Sequence, residues 1–154
     1  MPTTLAETET MDRDASAGFT LIELLISIVI VAILSAIAIP AYTDYVRRGR
    51  TADALASLAS LRVALEQYYQ DHRNYGADGK CGVAPPSGTD FSYTCASSEQ
   101  GQAFLATARG NSARGMADFA YTIDHSGLRR TTALPAGWGT PPLDCWVSSR
   151  GGPC

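Results

Sequence analysis

A single carboxylate, Glu23, stands inside the apolar run FTLIELLISIVIVAILSAIAI from Phe19 to Ile39. An ionised acid in a helix bound for lipid costs a few kcal/mol or more, so such a residue is functional by default. Four cysteines follow, Cys81, Cys95, Cys145 and Cys154, and their even count favours disulfides over free thiols. Four cysteines allow three pairings, of which the nearest-neighbour one, Cys81 with Cys95 and Cys145 with Cys154, is the expectation. Zinc is the rival chemistry, but separations of 14, 50 and 9 contain no C-x-x-C. Neither His72 nor His125 joins the cysteines in a ligand pattern, so no metal is expected. Finally, Arg129, Arg130 and Arg150 oppose only Asp144 after His125, a local basic stripe suited to a phosphate backbone. The competing reading is a solvated strand face.

Catalysis is not expected. The chain has two histidines, no G-x-x-x-x-G-K phosphate loop and no G-x-S-x-G elbow. Asp124-His125 falls in a predicted turn, where adjacent side chains are more often solvated than reactive. No cofactor is implied either.

The 154 residues hold 12 Lys+Arg and 15 Asp+Glu, a net charge of −3, and can build one modest core. Four of those acids and one base lie in residues 1–18, which leaves the rest neutral. A general nucleic-acid binder held by its overall field is therefore excluded.

The run from Phe19 to Ile39 is long enough to cross a hydrocarbon core of roughly 30 Å. It exceeds the apolar stretch of a secretory signal peptide, and a plain anchor would not explain Glu23. Pro40 then lacks the N–H that would bond Ala36, so a kink is expected there. Helical residues resume from Asp44 to His72, where Leu55, Leu58, Leu61, Leu65 and Tyr68 recur at three- and four-residue steps. One helix of about 80 Å, with a protruding apolar half, is an assembly device. Arg47, Arg48 and Arg50 just beyond the span are placed to meet anionic lipid headgroups or acids on neighbouring subunits.

Beyond His72, Gly, Ser, Thr and Pro become frequent. Phe91 to Thr94 and Phe119 to Ile123 alternate as strands do, and Asp124 to Gly127 is a turn into a strand from Leu128 to Thr132. Gln102 to Ala108 reads as a short helix or a loop turn. The expected fold is α+β: a long kinked N-terminal helix, transmembrane in its first half and amphipathic in its second, packed on a small antiparallel sheet. The segments are 1–18, a leader; 19–40, the transmembrane and assembly helix; 41–72, its amphipathic half; and 73–154, a disulfide-stapled head.

The stretch Gly18-Phe19-Thr20-Leu21-Ile22-Glu23, followed by the apolar run and Pro40, resembles the N-terminus of type IV pilins and pseudopilins. The resemblance implies that a prepilin peptidase cuts between Gly18 and Phe19 and that the new phenylalanine amine is methylated. That amine lies four residues from Glu23. In an apolar bundle two opposite charges each need a partner, and the resemblance implies that Glu23 faces the amine of a neighbouring subunit and sets register. Tyr121-Thr122-Ile123-Asp124 with Gly127, Pro135-Ala136-Gly137-Trp138, Cys145-Trp146 and Cys154 look like the PilE-type minor pilins. Two features depart from the family pattern. Ala32 stands where many pilins have glycine, and the residues before Gly18 are acidic while Arg47, Arg48 and Arg50 follow the span. That asymmetry opposes the positive-inside rule, and initiation at Met11 rather than Met1 would reduce the conflict.

The function implied is a structural subunit, a minor pilin contributing to pilus assembly, adhesion and twitching motility. Its partners would be other pilin subunits, the prepilin peptidase, the inner-membrane assembly machinery and the membrane itself. Its location would be the inner membrane, with a cytoplasmic leader, and then the extracellular filament. The alternatives are a pilin that binds DNA for uptake in transformation, a major pilin, and a type II secretion pseudopilin. Trp138 and Trp146 read as core packing or as exposed stacking residues.

Overall fold

The computed structural model describes residues 18–152 and 154. The leader expected over residues 1–18, apart from Gly18, lies outside the described residues, as does the choice between Met1 and Met11. Among those described, one helix precedes six strands: α1 (Leu21–His72), β1 (Gly76–Ala77), β2 (Lys80–Cys81), β3 (Phe91–Ser98), β4 (Ala103–Gly110), β5 (Ala120–Asp124) and β6 (Arg129–Ala133). The chain divides into two compact units between Ile39 and Pro40.

In the first unit, α1 starts with a side-chain cap: the Glu23 N–H donates to Thr20 Oγ1 at 3.3 Å, answering one of the orphan donors of the first turn. Thr20 and Glu23 stand in capping-box spacing. The large apolar side chains here are solvent-facing, from 48% exposed at Leu25 to 83% at Phe19. This is the one stretch among the described residues long and apolar enough to cross a membrane.

In the second unit, Thr51, Ala54, Leu58, Leu61 and Leu65 are the buried residues of α1, at steps of three and four. The stripe is thus rotated slightly from the expected one. Leu55 is half-buried at its margin, and Tyr68 stacks on His72 with ring centroids 3.9 Å apart. Small residues at positions 51 and 54 let the helix lie close to what covers it.

The cover is a four-stranded antiparallel meander in the order β3-β4-β5-β6. Alternation sets its inner face: Phe104, Ala106 and Ala108 from β4 and Tyr121 and Ile123 from β5 are buried with Leu58, Leu61 and Leu65. Each fully buried Leu or Phe contributes roughly 1.5–3 kcal/mol. The helix or loop expected over Gln102 to Ala108 is corrected: Ala103–Gly110 is the strand β4, paired along its length with β3 from Phe91↔Gly110 to Ser98↔Ala103. Alanine favours helices in isolation, but at positions 106 and 108 it supplies small inward residues in a period-two pattern, and pairing on both edges overrides propensity.

The expected hairpin is β5–β6, with the register Tyr121↔Thr131, Thr122↔Arg130 and Ile123↔Arg129. Asp124 organises its turn, as Oδ1 accepts from the Ser126 hydroxyl at 2.6 Å and the Leu128 N–H at 3.0 Å, and Gly127 takes φ 85°. Burial pushes the Asp124 carboxyl up, but these hydrogen bonds outweigh it and hold it below its ordinary value.

Candidate functional site

Glu23, the acid expected to drive assembly, sits in the first turn of α1. Its carbonyl accepts from the Ser27 hydroxyl at 2.7 Å, and its carboxylate forms no ion pair among the described residues. Gly18 and Phe19 precede the helix and are exposed, and Pro40 lies inside it, with the helical assignment continuing on both sides. These residues give an apolar rod face with one acid near its start. In lipid or in a helical bundle, that acid needs a cation or a proton.

The four cysteines form Cys81–Cys95 and Cys145–Cys154, with Cα separations of 5.7 and 5.4 Å. The first joins the β1–β2 hairpin to β3, and the Ser97 hydroxyl donates to the Lys80 carbonyl at 2.9 Å beside it. The second closes the tail. No metal-competent cluster of His, Cys, Asp and Glu occurs among the described residues.

The tail is fixed to the sheet by bonds no local pattern announces. Thr131 and Leu143 exchange both backbone hydrogen bonds, the Thr131 hydroxyl donates to the Cys145 carbonyl at 2.6 Å, and the Val147 N–H donates to Thr131 Oγ1 at 3.0 Å. The Tyr121 hydroxyl, in the core, donates to the Val147 carbonyl at 2.8 Å. Burial pushes that phenol up to about 12. Trp138 is a core residue, edge-on to Phe119 with centroids 4.9 Å apart. Trp146 is half-buried, and its indole N–H donates to the Thr122 carbonyl at 2.9 Å.

The arginine stripe is only partly assembled. Arg130 is paired with Asp144 at 2.7 Å, and Arg150 reaches back to Asp44 on α1 at 3.0 Å. Arg129 lies over the Trp146 ring, 4.9 Å from its centroid, a cation–π contact that leaves its charge at the surface. Arg129 and Trp146 line one shallow cleft with Asp144 and the Cys145–Cys154 disulfide. Of the three arginines of the stripe, one is stacked on an indole at the surface and two are paired with carboxylates.

Arg50 meets Asp90 of its own chain at 3.4 Å, and Arg114 meets the same oxygen at 3.0 Å. Asp90, which precedes β3, gave no local signal in the sequence.

Against known proteins, residues 40–118 match the family described as "Type IV minor pilin ComP, DNA uptake sequence receptor", and residues 13–39 match the "Prokaryotic N-terminal methylation motif". Among curated proteins, the type IV major pilin protein PilE1 of Neisseria gonorrhoeae is 43% identical over 70 residues, 46% of this chain and 33% of that protein. The fimbrial protein EcpC of Eikenella corrodens is 44% identical over 68 residues, 44% of each chain. The match thus spans less than half the length of these relatives. Among solved structures, a type IV pilin from Shewanella oneidensis is similar at 22% identity and TM-score 0.47, covering 65% of this chain and 97% of that one. The non-core minor pilin PilV of Neisseria meningitidis is similar at 16% identity and TM-score 0.48, covering 59% and 91%.

Proposed function

Because the chain belongs to the type IV pilin family, we propose that it is a minor structural subunit of a type IV pilus, contributing to assembly, adhesion and twitching motility. The observation that carries this reading is the solvent-facing apolar stretch of residues 19–39 with Glu23 as its one acid. Hydrophobic area of that extent has two stable environments, the membrane before assembly and a bundle of like helices afterwards.

In this reading the prepilin peptidase removes residues 1–18 at the cytoplasmic face, and residues 19–40 hold the subunit in the inner membrane. Residues 41–72, the amphipathic half of the helix, and residues 73–154, the head, lie on the far side. Assembly machinery then transfers the subunit to an extracellular filament of pilins. There Glu23 pairs with the methylated Phe19 amine of a neighbour and selects one register among helices that otherwise pack alike. Glu23→Val should leave the protein in the membrane fraction and deplete it from sheared filaments. Normal incorporation would contradict the pairing.

A second reading, capture of DNA by the head, is favoured by the family description matched over residues 40–118. Arg129, stacked on Trp146 at the surface, is the group of the proposed patch best placed for a phosphate or an exposed base. Arg130 and Arg150 join it only by exchanging Asp144 and Asp44 for phosphate. Replacing Arg129 and Arg130 together with alanine should weaken duplex binding and flatten its salt dependence. An unchanged affinity would exclude this patch.

A further inference from the structure

A second concave, positively charged surface lies at the start of the second unit. Tyr42, Thr43 and Arg47 of α1 line it with Arg50, and Arg114 and Gly115 close it from the loop after β4. Arg50 and Arg114 share one carboxylate oxygen of Asp90, and an Arg50 Nη1 hydrogen bond to the Arg114 carbonyl at 2.6 Å fixes their arrangement. Two guanidiniums on one carboxylate leave a positive excess, and Arg47 adds a third cation with no acid paired to it among the described residues. On the helix, Asp44 is held by Arg150, and Asp53, three residues beyond Arg50, makes no ion pair among the described residues.

Chain position selects the ligand. Tyr42 follows Ile39, the end of the apolar run, by three residues, and Tyr42 and Tyr45 are 68% and 74% exposed. Exposed tyrosines followed by arginines are what a membrane–water interface retains, the rings at headgroup level and the cations against phosphate. Guanidinium groups match phosphate oxygens two at a time. We propose that this cleft binds the phosphate of an anionic phospholipid headgroup while the subunit stands in the membrane. The proposal rests on the reading of residues 19–39 as a membrane span. Release of that lipid would then accompany extraction into a filament.

The test uses the full chain. Flotation with phosphatidylcholine vesicles reports the span, and native mass spectrometry from micelles holding equal phosphatidylglycerol and phosphatidylcholine reports the cleft. Phosphatidylglycerol should be retained preferentially, and Arg47→Gln should reduce that retention about fivefold. Arg48→Gln, outside the cleft, should not. Because Arg47 makes no ion pair among the described residues, its replacement should leave the circular dichroism of the head unchanged. Equal retention of both lipids, or an equal loss in Arg48→Gln, would overturn the cleft while leaving the span intact. Displacement of the lipid by millimolar inorganic phosphate would reassign the cleft to soluble anions and overturn the lipid source. Failure to float with any vesicle would overturn the span and the proposal with it.

Discussion

The Tyr121 hydroxyl donates to the Val147 carbonyl at 2.8 Å from a fully buried position. That bond ties the middle of the sheet to the tail, and a tail without it would leave a buried carbonyl unsatisfied.

Tyr121→Phe should therefore destabilise the head by about 1–3 kcal/mol, the cost of stranding a buried acceptor. Chemical unfolding followed by near-ultraviolet circular dichroism measures it. An unchanged midpoint would mean that Thr131 and the Cys145–Cys154 bridge hold the tail alone.

The same residue sets an alkaline limit. The folded chain keeps the Tyr121 proton with a pKa pushed up to about 12, against an ordinary 10, chiefly because burial disfavours the phenolate. The folded state thus holds more protons than the unfolded one above pH 10. Its extra stability is complete below pH 10 and is lost as pH rises through about 12. Burial and then Glu66 push Tyr75 in the same direction, so Tyr121→Phe should reduce the alkaline slope of stability without abolishing it. An identical slope in the variant and the parent would contradict the assignment.

Replacing Cys81 and Cys95 together with serine should lower the head's stability by roughly 3 kcal/mol, the loop-closure value for a separation of about this length. The melting temperature should fall by roughly 10 °C or more. A small change would mean that the Ser97 bond to the Lys80 carbonyl and the Gly82 N–H bond to the Tyr75 carbonyl already fix the β1–β2 hairpin.

Residues whose partners are close in sequence were legible. The span and Glu23 follow from composition, Leu58, Leu61 and Leu65 from helical period, and β5–β6 from alternation around Asp124 to Gly127. β4 was not, because Ala103–Gly110 is rich in a helix-favouring residue and becomes a strand only between β3 and β5. The candidate site divides in the same way. Gly18, Phe19 and Glu23 stand in one short stretch of the sequence, whereas Arg50, Arg114 and Arg150 are paired with Asp90 and Asp44, distant in sequence and brought near only by folding. The arginine stripe looked basic because Asp44 could not be foreseen opposite Arg150.

Intact-mass and quantitative peptide analysis of pili sheared from cells tests processing, oxidation and stoichiometry at once. The chain should be present as a trace species that begins at a methylated Phe19 and is lighter by four hydrogens for its two disulfides. A dominant species of that mass would make it the fibre's main subunit. Its absence from pili, with residues 1–18 still attached in the membrane fraction, would contradict its role as a filament subunit.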